Sequence, residues 1–207
     1  MVRRKQAKVE PSEGSVTYSV EDIVRSEIEG AVVAIVRHLN YVAAHVLASA
    51  AFEVMRGHAK RHDLPLRADI FQDLKECFGA AEAKPYIDTL NQPYNAMKHS
   101  QGTDGATIHP HYVELITAQA CKEFGAMFGF MTPRMAIYVG WSNVVHERLR
   151  KTQPQAVVDA FASAALGGSR ADQLREAREQ FDVIDGEPIL DEECRERLTT
   201  KRWKFPD

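Results

Sequence analysis

From Ser19 onward the chain never alternates apolar and polar residues cleanly over a strand's length; its apolar positions fall at helical spacing behind residues that cap helices. That pattern predicts an all-α helical bundle. Ser19 is an N-cap candidate for a helix whose first turn carries Glu21 and Asp22, in accord with the helix dipole, and whose apolar positions run from Ile23 to Val36. The HLNY stretch, His38 to Tyr41, reads as a break, because Asn40 can cap the alanine-rich run that follows to about His62. Ala43, Ala44, Ala48, Ser49, Ala50 and Ala51 add little side-chain volume, so this second helix is expected at the centre of the bundle. Further helices are expected over Arg67–Phe78, Pro85–His99, Pro110–Phe130 and Pro133–Lys151, the last with Thr132 as cap and Pro133 as its first residue.

At 207 residues the chain suits one core with extensions rather than two large domains. The expected organisation is a disordered tail over 1–17, a bundle over 18–151 and a C-terminal helical extension or arm over 152–207. The extension holds the apolar segment AVVDAFASAALGG, a capping-box-like Ser169–Asp172 pair and a charged end. A net charge of -3 supplies no chain-wide attraction for a nucleic-acid polyanion, so any RNA contact needs a local basic patch such as CRERLTTKRWK, Cys194 to Lys204. Three cysteines, Cys77, Cys121 and Cys194, include no C-x-x-C pair and fit reduced thiols in a cytoplasmic protein. The opening MVRRKQAKVEPSEGS has no apolar run behind its basic residues, which is not the pattern of a secretory signal. The most apolar region, Ala31 to Met55, is interrupted by Arg37, His38, Asn40, His45 and Glu53, so no membrane span is expected.

The stretch NQPYNAMKHSQGTDG, Asn91 to Gly105, is the main chemical signal. At about 100° per residue, Ile87, Leu90, Tyr94 and Met97 share an apolar face, while Asp88, Asn91, Gln92, Asn95 and His99 line the opposite one. Pro93 either kinks this helix or restarts it with Gln92 as cap. Both arrangements leave Asn95 and His99 one turn apart, at a terminus followed by the turn-formers Gly102 and Gly105.

YNAMKH resembles the active motif of HEPN-domain proteins, all-helical bacterial and archaeal bundles in which Arg, a polar residue, three variable residues and His form a metal-independent ribonuclease site. Asn95 and His99 match the polar position and the histidine; Tyr94 stands where the family has arginine, replacing a cation by an uncharged hydrogen-bond donor. AAHVLASAAFEVMRGHAK followed by NAMKHS is also similar to an uncharacterised bacterial group with an H-x-L-A-x-A-A helix and an N-x-x-K-H motif; together the resemblance spans roughly 42–104. It implies an endoribonuclease or RNA-binding site, in a defence or toxin–antitoxin setting, formed across a homodimer. His99 would be the acid or base, Asn95 would orient the imidazole or the phosphate, and Lys98 would offset phosphate charge.

His45, on the alanine-rich helix with His38, Ser49 and Arg56 on the same face, is a supporting candidate for the His99 site, the bland alternative being a hydrogen-bonded core histidine. His58 and His62 are spaced i, i+4, and His109 and His111 flank Pro110, but neither pair has a recognisable third ligand in the sequence, so no metal and no cofactor is expected. The competing function is a non-catalytic helical interaction or regulatory protein that dimerises and binds a protein partner, favoured by the missing arginine.

Overall fold

The structure, a computed structural model, describes residues 16–65, 84, 88 and 107–186. Among these residues every regular element is a helix. Helix α1 spans Val20–His38, and Ser19 caps it by accepting the Asp22 N–H on its hydroxyl at 3.0 Å. It stops at Leu39, left-handed at φ 51, whose N–H returns to the carbonyls of Ala34 and Ile35. Asn40 then opens α2, Tyr41–His62, its side chain accepting the Ala43 N–H at 3.1 Å. The break and both caps agree with the sequence reading.

Among the described elements helix α1 is the central one. Its wide apolar face, including Val24, Ile28, Val32 and Ile35, is fully buried, and it packs against α2 and three later helices. Among the described elements α2 packs chiefly on α1 and α3. Ala44, Ala48 and Ala51 are fully buried and let α2 approach its neighbours closely. Gly30 shows how close the two helices run: a Cβ there would lie 3.1 Å from Leu47 Cδ1.

Helix α3, Pro110–Phe128, ends at Gly129 in the left-handed conformation, φ 79. Helix α4, Pro133–Val145, is capped by Thr132 as expected but does not run to Lys151. His146 takes extended dihedrals, φ -90 and ψ 106, and α5 follows over Glu147–Arg150. No proline or glycine causes this break; it turns the His146 side chain inward, to 8 % exposure, so tertiary packing overrides helix propensity here.

Helices α6, Gln155–Ala160, and α7, Ala162–Leu166, are separated by Phe161, whose ring joins the core. Ser169 and Asp172 form the capping box of α8, Arg170–Gln173, and α9 covers Arg175–Gly186. Residues 155–186 pack back on the same core, through Phe161, Ala164, Leu174, Ala177 and Phe181. Arg178 Nε donates to the Val36 carbonyl at 2.6 Å, and Arg37 bonds Asp182 at 2.5 Å and Asp185 at 3.0 Å, orienting α9 against the end of α1. Among the described residues no helix is long and apolar enough to cross a membrane. Cys121 is a free buried thiol, pushed up in pKa by that burial.

Candidate functional site

The first turns of α3 present His111 and Glu114 three residues apart, hence on one helix face. Glu114 is 0 % exposed. A carboxylate so placed needs partners, and they come from distant segments: Tyr41 Oη donates to its Oε1 at 3.1 Å, and Arg170 Nε stands 2.8 Å from the same oxygen. Behind it, Tyr138 Oη donates to the Glu114 backbone carbonyl at 3.2 Å. Arg170 is held in turn by Gln173, and its guanidinium lies 5.8 Å from the Trp141 ring centre.

The other carboxylate oxygen is bare. Glu114 Oε2 is buried without a hydrogen-bond partner and faces His146 Nε2, also buried and unpartnered, at 3.9 Å. His146 reaches this position because it serves α4 and α5 through its backbone alone: its N–H closes α4 on the Ser142 carbonyl, and its own carbonyl accepts from Leu149 and Arg150. The imidazole is thereby left for the site. His111 completes the group, its ring 4.4 Å from that of His146 and edge-on at 87°. One donor atom from each of His111, Glu114 and His146 lies within 4.8 Å of the other two. A cavity of ≈ 550 Å³, lined by His111, Leu115, Val145, His146, Glu147, Leu149 and Arg170, opens on this group.

Electrostatics set the protonation pattern. Burial first, then His111 and Arg170, push His146 down to about 4, so at neutral pH it is a neutral imidazole although it stands at ion-pair distance from Glu114. His111 is lowered by burial and then by Arg170. Burial raises Glu114, opposed by Arg170 and Tyr41, and Tyr41 is pushed up to about 12 by burial and by Glu114, keeping it a donor. Neutral imidazoles are the form that ligates metals. With bonds of about 2.0–2.2 Å, two donors on one zinc-like ion stand roughly 3.3 Å apart in a tetrahedron and at most roughly 4.3 Å apart. The 3.9 Å pair lies between these limits, and drawing all three donors, now within 4.8 Å of one another, onto one ion needs modest side-chain rotation, for which the exposed His111 has room.

Tyr94, Asn95, Lys98 and His99 lie outside the described residues, as do Cys77 and the run Cys194 to Lys204. His45 is 2 % exposed with both ring nitrogens unpartnered, and burial lowers its pKa. Arg56 lies over the Phe52 ring at 5.8 Å. Eleven residues separate it from His45, about 16 Å along a helix, so the two form no contact cluster. His58 and His62 stack at 4.4 Å; among the described residues the only three-donor group is His111, Glu114 and His146. The sequence reading paired His111 with His109; the structure places His109 at the N-cap against Tyr112 and gives His111 the partners Glu114 and His146 instead. H-x-x-E at the start of α3 was the local signal, and it lacked a third member because His146 turns inward only through the break after Val145.

No family model, curated protein or solved structure matches this chain.

Proposed function

We propose that the protein binds one divalent transition-metal ion through His111, Glu114 and His146 and presents it to the adjoining cavity. The observation that carries this reading is the pair of buried, unpartnered atoms, Glu114 Oε2 and His146 Nε2, facing each other at 3.9 Å. Leaving either atom orphaned is unfavourable by about 1–3 kcal/mol, and an ion between them would satisfy both. Tyr41 and Arg170 already hold Oε1, the outer hydrogen bonding that orients a metal-ligating carboxylate. Two imidazoles and one carboxylate favour zinc, iron(II), cobalt or nickel over magnesium or calcium. Equilibrium dialysis against Zn²⁺ should recover one ion per chain, and His146→Ala and Glu114→Gln should each weaken binding at least about 10-fold. Stoichiometry near zero, or unchanged binding by both variants, would refute the reading.

A second reading is favoured by the YNAMKH motif: an HEPN-like, homodimeric protein that binds or cleaves RNA without metal, with His99 as acid or base, Asn95 and Lys98 as supports and Tyr94 in the arginine position. The all-helical architecture of the described residues supports it at the level of fold class. Labelled RNA incubated with the protein in EDTA should be cleaved, and His99→Ala should abolish cleavage while Tyr94→Arg raises it. Intact RNA with the wild type in EDTA would sink this reading and favour the non-catalytic interaction role.

A further inference from the structure

We infer that the cavity beside the His111–Glu114–His146 centre binds a small oxyanion with an aliphatic body, a carboxylate or a phosphate ester, bridged between the metal and Arg170. This inference rests on the metal-binding reading. It starts from a charge count. Glu114 and Arg170 cancel, the two imidazoles bind metal in their neutral form, and at the rim Lys151 Nζ stands 2.9 Å from Glu147. A divalent ion therefore adds two positive charges that no described ligand offsets, where Glu114 is 0 % and His146 8 % exposed. Unbalanced charge in such a place is unfavourable, and three protein ligands leave the metal an open position. An anion at that position answers both conditions.

Position selects the same class. Glu114 is fully buried and is not among the lining residues, whereas His111, His146 and Arg170 line the cavity itself, so an entering molecule meets two metal ligands and a guanidinium. Arginine presents five N–H donors in a planar fork suited to carboxylate and phosphate; the bonds to Glu114 and Gln173 use Nε and Nη1. Leu115, Val145 and Leu149 add apolar contact to the lining, and the one lining carboxylate, Glu147, is paired with Lys151. A space of ≈ 550 Å³ suits a small molecule rather than a polymer segment.

The test uses the full chain loaded with Co²⁺, whose visible bands report the metal's ligands. Acetate, butyrate and inorganic phosphate are titrated separately, with acetamide as the neutral control. The anions should shift the bands saturably and acetamide should not; butyrate should bind more tightly than acetate by roughly three- to four-fold per added methylene. Arg170→Gln should weaken the response to acetate and phosphate about 10-fold or more, and Arg170→Lys should recover part of it. Cobalt bands that no anion perturbs would overturn this inference alone and leave the metal site standing. Absence of cobalt bands in the wild type would overturn both. Equal responses to acetamide and acetate would also refute it. If Arg170→Gln does not fold, the wild-type chain-length series still decides: equal affinity for acetate and butyrate contradicts an aliphatic wall.

Discussion

Replacing His45 by leucine should stabilise the protein, the reverse of what most core substitutions do. His45 is 2 % exposed, and neither ring nitrogen has a hydrogen-bond partner. A neutral imidazole there buries one donor and one acceptor unsatisfied, each unfavourable by about 1–3 kcal/mol. Leucine removes both atoms but changes shape among fully buried alanines such as Ala44 and Ala48, and such misfit costs about 1–3 kcal/mol. The net expectation is a gain of about 1–2 kcal/mol, or roughly 2–8 °C in Tm for a chain of this size. The pH dependence supplies a second readout. Burial holds the folded-state pKa of His45 below its ordinary 6.5, so on acidification the unfolded chain takes up the proton first. Stability present above about pH 6.5 is therefore lost as the pH falls toward the lowered folded value, and His45→Leu should remove that share of the loss. His146, shifted in the same direction, leaves a residual slope. Thermal melts at pH 7.5 and pH 5 on both proteins measure the two effects. A destabilisation above about 1 kcal/mol at pH 7.5, with the acid sensitivity unchanged, would refute the reasoning and point to a partner for His45.

Gly57→Ala should raise stability by about 0.5–1 kcal/mol, because it lies inside α2 with nothing within 4 Å of the added Cβ; a denaturant melt with unchanged slope checks it. Gly140→Ala gains the same propensity but puts its Cβ 2.7 Å from Phe161 Cε2, a buried ring, and should be net destabilising by about 1–2 kcal/mol in the same melt. Phe181→Ala should cost about 3–5 kcal/mol, whereas Arg37→Ala, with Asp182 66 % exposed, should cost about 1 kcal/mol or less; similar losses in the two melts would show that ion pairs rather than burial hold α9. Saturating Zn²⁺ at about 100 times its Kd should add about 2.7 kcal/mol of stability, and the increment should vanish in His146→Ala.

Rules that act within a few residues were legible in the sequence. Ser19, Asn40, Thr132 and the Ser169–Asp172 pair each cap a helix where the pattern placed a start, because a cap needs only its own side chain and the N–H groups of the next turn. The break at His146 was not legible. No proline or glycine stands there, and the break shows only in the extended dihedrals of His146 and in the burial of its side chain beside Glu114. Glu114 was missed for the same reason: a glutamate in an amphipathic helix reads as solvated until Tyr41 and Arg170, far away in sequence, are seen on one of its oxygens. His111 was noticed as a histidine but paired with His109 across Pro110, since closeness in sequence does not report which distant side chains, here His146, a helix start will face.

The candidate site depends on how Arg170 is delivered, and magnitudes identify what delivers it. The ion pairs from Arg37 and Arg134 to Asp182 and Asp185 involve groups from a quarter to two-thirds exposed, and pairs open to solvent contribute about 0–1 kcal/mol each. Leu174 and Phe181, both 0 % exposed, contribute about 1.5–3 kcal/mol apiece. Burial therefore docks α9, and the exposed pairs only set its orientation. Leu174 also follows Gln173 directly, so the side chain that anchors the segment sits next to the residue holding Arg170, and Trp141 Nε1 donates to the Gln173 carbonyl at 2.7 Å. Arg170 thus projects from a turn fixed on both sides. Its Nε meets Glu114 Oε1 from the tail while Tyr41 meets the same oxygen from α2, and the carboxylate is left one direction in which to act: Oε2, toward the imidazoles and the cavity.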